Sequence, residues 1–114
     1  QMQIDELARL VEGSLVTRSE SSHEVLYAFS SDLMSDVLTL MEDNVMLITG
    51  LANVQAIRTA VMSDISTVLV VRDKKVTQEM TEVAKSSGVS IVTSPYSMFR
   101  ASGILYQHGL KPVF

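Results

Sequence analysis

The clearest evidence on the fold lies in two apolar stretches, VMLIT at residues 45–49 and TVLVV at residues 67–71. Both stretches are short, rich in β-branched residues and apolar at almost every position. Such continuous apolarity is typical of central strands in a parallel sheet, because helices cover both of its faces. The two stretches therefore predict neighbouring buried strands.

Two further stretches of this kind, at residues 25–29 and 89–93, make strands recur every 20 to 22 residues. The segments between them place apolar residues at helical spacing, as in Leu33, Val37 and Leu40. Alternating strands and helices favour parallel pairing with right-handed crossovers. We therefore predict a three-layer α/β/α domain with a mainly parallel sheet of four to five strands.

The flanking segments extend this pattern. Residues 3–11 predict an amphipathic helix, residues 14–17 an added edge strand and residues 18–24 a surface loop. Four polar residues are expected to cap the helices that follow the strands: Ser31, Asn53, Thr77 and Ser94. Pro95 is then expected at a first helical position, and Gly88 at a helix end. No long linker divides the chain, so we expect residues 1–114 to form one domain.

Composition narrows the classes of partner. The net charge of −4 disfavours nucleic acid, which is usually bound by a basic surface. No apolar run approaches the roughly 18 residues of a membrane helix, so no membrane partner is expected. The first residues lack the pattern of a signal peptide and the chain has no cysteine, which favours a cytoplasmic location.

The most promising binding residues follow two of the predicted strands. Parallel sheets bind ligands at the carboxyl ends of their strands, where helix N-termini attract anions. Gly50 allows close backbone approach, while Thr49 and Asn53 offer hydrogen-bonding side chains, and Thr93 and Ser94 end the last predicted strand. We predict that these five residues bind a small phosphorylated ligand or a nucleotide. In the alternative interpretation, Gly50 only forms a turn and Asn53 only caps a helix.

Catalytic patterns are absent from the sequence. It contains no nucleophile elbow, no phosphate-binding loop of the Walker type, and no zinc pattern around His23 or His108. We therefore predict no catalytic residue, no metal and no cofactor. The alternative is a small phosphotransfer-type enzyme that uses Asp32, Asp36 and Lys74.

Three features of the sequence bear on packing and partners. Gly103 interrupts the last predicted helix, which suggests close approach by another backbone, either the domain's own sheet or a second subunit. The apolar end at residues 111–114 could cover a protein partner. Six methionines fall in apolar segments and are expected to fill the core: Met34, Met41, Met46, Met62, Met80 and Met98.

Three motifs resemble those of DRTGG domains in their order and spacing. They are SDLMSDVL at residues 31–38, LITG at residues 47–50, and SPY at residues 94–96 with Phe99. The similarity covers about residues 25–110. DRTGG modules are found alone or fused to phosphotransacetylases and CBS-containing pyrophosphatases, and they are similar to the N-terminal domain of HPr kinase/phosphorylase.

The resemblance implies an α/β fold, a homodimer and a regulatory or ligand-sensing role rather than catalysis. It also exposes a departure at residues 51–53, where Leu-Ala-Asn replaces the Gly-Asp-Arg usual after Thr-Gly. This change removes a glycine and both charges from the loop. A purely structural partner of a larger redox or metabolic complex is the remaining alternative.

Overall fold

The computed structural model describes residues 1–19 and 24–114, so His23 and most of the loop predicted at residues 18–24 lie outside the described residues. From residue 27 onward, strands and helices alternate along the chain. Their bounds are α1 Ile4–Leu10, β1 Ser14–Thr17, β2 Tyr27–Ser30, α2 Met34–Val37, β3 Val45–Thr49, α3 Val54–Met62, β4 Thr67–Val70, α4 Gln78–Ser87, β5 Ser90–Thr93, α5 Met98–Gln107 and β6 Lys111–Pro112.

The strands form one sheet in the order β1-β5-β4-β3-β2-β6. Strands β2 to β6 pair in parallel, whereas β1 runs antiparallel to β5 at one edge. Every residue of β3 and β4 is buried, because helices cover both faces at the centre of the sheet. The mainly parallel sheet and the added edge strand are both confirmed.

Two clusters of buried side chains separate the three layers. Helices α2, α3 and α4 pack on one face with Leu47 and Val68, and α1 and α5 pack on the other with Ile48 and Leu69. Neighbouring residues of a strand point to opposite faces, so each central strand contributes to both clusters. The predicted α/β/α architecture is confirmed.

The described part of the chain contributes six strands, against the four or five predicted. The additional strand, β6, pairs in parallel with the start of β2 at the second edge of the sheet. Lys111 N donates a hydrogen bond to Leu26 O, and Pro112, which has no N–H, is tolerated because β6 is an edge strand. A two-residue strand that contains proline has no recognisable sequence pattern.

Helix caps follow the predictions only in part. Asn53 and Thr77 cap α3 and α4 as expected, and Gly88 ends α4 in the left-handed conformation, with φ of 76°. The prediction for Ser94 and Pro95 is wrong, because α5 begins at Met98 and is capped by Ser97. Ser31 lies before α2 without capping it, since the N-cap position belongs to Leu33.

Two of the methionines expected in the core are exposed. Met41 is 94% exposed and Met62 is 65% exposed, whereas Met46 and Met80 are fully buried. Helix α2 ends at Val37 and α3 ends at Met62, so the two exposed methionines lie beyond or at the last residue of their helices. An apolar residue at the end of a short helix no longer follows the face that packs on the sheet.

Candidate functional site

The carboxyl ends of β2 to β5 form one edge of the sheet, here called the strand-end edge. Thr49 pairs with Val70, and Val70 pairs with Thr93. Neighbouring strands lie about 4.8 Å apart, so Thr49 and Thr93 are about 10 Å apart across β4. The strand-end edge therefore carries all five predicted binding residues, in two groups on either side of β4.

An internal carboxylate occupies the loop that follows β3. Asp32 Oδ1 accepts hydrogen bonds from Thr49 Oγ1 at 2.8 Å and from Gly50 N at 2.7 Å. Thr49 Oγ1 in turn accepts a hydrogen bond from Leu51 N at 3.2 Å. One hydroxyl and one backbone amide thus hold a negatively charged group at the position where an external anion was predicted.

A lysine from the neighbouring loop reaches the same place. Lys74 Nζ donates a hydrogen bond to Gly50 O at 3.3 Å, which brings a positive charge beside the loop that holds Asp32. Asp36, by contrast, lies in α2 with an exposed side chain. The structure therefore joins Asp32 and Lys74 to Thr49 and Gly50, a grouping that the sequence did not reveal.

Asn53 uses its side chain within the fold. Its Oδ1 accepts a hydrogen bond from Ala56 N at 2.9 Å and so satisfies one of the free amides in the first turn of α3. The helix that it caps begins four residues after Gly50. Asn53 thereby fixes the start of α3 beside the loop that holds Asp32.

Ser94, on the other side of β4, is 1% exposed and bonded to backbone atoms. Its Oγ donates to Val11 O at 2.7 Å and accepts from Tyr96 N at 3.1 Å. Thr93 lies close to the backbone of Gly13, where an added Cβ would be 2.5 Å from Thr93 O. These contacts attach the end of α1 and β1 to β5.

The loop after β4 is bonded to the loop after β5. Arg72 and Asp73 have positive φ angles of 66° and 57°, and their amides donate to Tyr96 O at 2.7 Å and Ser94 O at 2.9 Å. A left-handed conformation is uncommon for residues other than glycine. The two hydrogen bonds join the two loops at the residues directly before Lys74.

A groove of about 320 Å³ opens between α5 and the β2–β6 edge, and we call it the α5 groove. Gly103 lies in its wall, and a Cβ added there would meet no atom of the described residues within 4 Å. The expectation that Gly103 allows close approach of the domain's own sheet is therefore wrong. A second subunit against Gly103 stays a prediction.

Two absences hold for the residues that the structure describes. Across residues 1–19 and 24–114, no helix is long and apolar enough to cross a membrane. In the same ranges, no three His, Cys, Asp or Glu side chains form a group that could hold a metal ion.

The sheet and its strand-end edge define a three-layer α/β domain of the kind that offers ligand sites at the ends of parallel strands. Residues 6–108 match the family model of the DRTGG domain. The chain therefore belongs to the DRTGG domain family, which confirms the resemblance carried by its three motifs. No curated protein matches the chain.

A solved structure has the same fold. It contains the CBS and DRTGG domains of the regulatory region of Clostridium perfringens pyrophosphatase, complexed with the activator diadenosine tetraphosphate. The TM-score is 0.78 at 14% identity, over 98% of this chain and 48% of that chain. The present chain thus spans about half of that regulatory region.

Proposed function

We propose that this chain is a non-catalytic regulatory module that senses a small phosphorylated ligand or nucleotide and acts as a homodimer. The observation that carries the proposal is the carboxylate of Asp32 on the Thr49 hydroxyl and the Gly50 amide. Membership in the DRTGG family and the likeness to a regulatory region complexed with a dinucleotide activator support the same function.

The ligand would bind by replacing Asp32. A phosphate oxygen accepts hydrogen bonds from hydroxyl and amide donors as a carboxylate does, and it carries at least as much negative charge. Lys74, already at the Gly50 carbonyl, would compensate part of that charge. Asn53 would keep the start of α3 in place, while Thr93 and Ser94 would bound the site beyond β4.

Replacement of the Asp32 carboxylate by a ligand phosphate would change the conformation of the domain and so transmit ligand binding to a partner. When Asp32 leaves Thr49 and Gly50, the segment that leads into α2 loses two hydrogen bonds and is held to β3 by the bond from Ser31 N to Ile48 O and its neighbours in the sheet. A ligand that prefers this released state shifts the population towards it by its difference in affinity. A homodimer or a protein partner that contacts α2 would detect the change.

A thermal-shift titration with ATP, ADP and pyrophosphate tests ligand binding. A ligand present at 100 times its Kd stabilises the native state by about 2.7 kcal/mol, which raises Tm by several degrees. Thr49→Val should abolish this rise because it removes the hydroxyl that would donate to the ligand in place of Asp32. Thr59→Val is the matched control, since the buried Thr59 hydroxyl has no hydrogen-bond partner among the described residues.

Three outcomes of that experiment separate the alternatives. A rise in Tm that Thr49→Val removes and Thr59→Val preserves supports the sensing module. No rise with any of the three ligands contradicts it and favours a purely structural partner of a larger complex. Turnover of a ligand that is lost in Asp32→Asn would instead favour the phosphotransfer-type enzyme.

The homodimer is tested by mass in solution. We expect light scattering at micromolar concentration to give twice the chain mass of 12.5 kDa. A mass equal to one chain would contradict this part of the proposal. The proposed cytoplasmic location rests on the sequence alone.

A further inference from the structure

We infer that the α5 groove binds a planar aromatic ring with hydrogen-bonding atoms, such as a nucleobase. The groove measures about 320 Å³, near the lower end of the range of about 300–1,000 Å³ that is usual for small-molecule sites. This volume suits one flat ring system.

Two exposed aromatic side chains stand at either end of the groove wall. Phe99 is 90% exposed and Tyr106 is 67% exposed. They are seven residues apart on α5, so they share one face of the helix and their backbones are separated by about 10 Å. Gly103, which has no side chain, leaves the helix surface bare between them. The gap favours insertion of a flat ring that gains stacking contacts with aromatic neighbours.

The groove also offers a pair of hydroxyl groups against an apolar floor. Ser30 Oγ lies 2.7 Å from Ser102 Oγ, and both serines line the groove with Ala28, Ile48 and Leu105. A hydroxyl can donate one hydrogen bond and accept others, so this pair can bond further to a ring nitrogen or amino group. An aliphatic ligand would cover these polar atoms without bonding to them. The lining therefore favours a heterocycle.

The groove adjoins the loop that holds Asp32. Ser30 and Ile48 line the groove, and Asp32 and Gly50, which are bonded to each other, each lie two residues further along the chain. A nucleotide could therefore place its ring in the groove and its phosphate at Gly50. This joint occupancy rests on the proposed function, whereas ring binding in the groove does not.

Amide chemical shifts of the ¹⁵N-labelled chain test the inference. Adenosine supplies the ring without phosphate, ribose is the control without the ring, and inorganic phosphate probes the Asp32 loop. We expect adenosine to shift the Gly103 amide with saturation and ribose to leave it unchanged. Phosphate is expected to shift the Gly50 amide instead.

Filling the groove should remove ring binding without unfolding the chain. In Gly103→Leu the new Cβ has free space, and we expect adenosine to bind at least about tenfold more weakly while the phosphate response of Gly50 persists. Phe99→Ser removes one aromatic wall at an exposed position and should also weaken binding. Met41→Ser, at a residue that is exposed outside the groove, is the control and should bind as the wild type does.

Either of two results would overturn the inference. The first is a Gly103 amide that adenosine leaves unchanged in the wild type, or an amide of residue 103 that responds to adenosine equally in the wild type and in Gly103→Leu. The second is a wild-type dimer that does not respond to adenosine and that becomes a monomer in Gly103→Leu. That result would show that the groove is occupied by a second copy of the chain. A Gly103 response to adenosine without a Gly50 response to phosphate would support the groove and contradict the proposed anion site.

Discussion

Replacing Asp32 by alanine measures how strongly the internal carboxylate holds the strand-end edge together. The substitution removes the acceptor of two hydrogen bonds, from Thr49 Oγ1 and from Gly50 N. It also vacates the position that an external anion would take. Asp32→Ala should therefore lower stability and, at the same time, raise affinity for phosphate.

The loss of stability follows from these two contacts. A hydrogen bond to a charged group contributes about 1.5–3 kcal/mol in a buried setting. Asp32 is exposed to solvent, which screens the charge and competes for both donors. We therefore expect the free energy of unfolding to fall by about 1–2 kcal/mol in total, or Tm by about 4–8 °C for a chain of this size.

Urea unfolding followed by circular dichroism measures the effect. Asp36→Ala is the matched control, because it removes an exposed carboxylate four residues away and should change stability by less than about 0.5 kcal/mol. Added inorganic phosphate should stabilise Asp32→Ala more than the wild type, since its donors are vacant. Equal stability of the two variants, or an equal phosphate effect on Asp32→Ala and the wild type, would refute the reasoning.

Three further substitutions test the packing that supports the site. Gly13→Ala should lower the free energy of unfolding in urea by about 1–3 kcal/mol, because the added Cβ would lie 2.5 Å from Thr93 O. An unchanged unfolding midpoint would show that β1 can move to avoid this clash. Ser94→Ala should cost about 1–3 kcal/mol by calorimetry, since Val11 O loses its buried donor, and a neutral result would exclude that bond. Thr67→Val should raise stability by about 1 kcal/mol in the same assay, because the buried Thr67 hydroxyl has no partner in residues 1–19 and 24–114; a loss of stability would show that this hydroxyl donates a hydrogen bond.

Patterns local in sequence predicted the fold well. The apolar stretches around Leu47 and Leu69 indicated central parallel strands, because a strand that is buried on both faces is apolar at almost every position. The caps at Asn53 and Thr77 were predictable for a similar reason, since each bonds an amide three residues away. Edge strand β6 was not predicted, because its two residues are exposed and show no apolar pattern.

The candidate site was less accessible to sequence reasoning because its bonds join distant residues. Asp32 reaches Gly50 across 18 positions, and Lys74 reaches it across 24. Ser94 was interpreted as a helix cap, but its hydroxyl donates to Val11 O, 83 positions earlier. A polar residue at a strand end shows that it can donate or accept a hydrogen bond, and only the folded chain shows which partner it finds.

The central claim is that an external anion takes the place of Asp32 at the Gly50 amide. Titration of the ¹⁵N-labelled chain with inorganic phosphate tests it most directly, because Gly50 is one of only five glycines and glycine amides are readily distinguished. We expect the Gly50 amide to shift with saturation in the wild type and at lower phosphate concentration in Asp32→Ala. A Gly50 amide that stays unchanged in both proteins would contradict the claim.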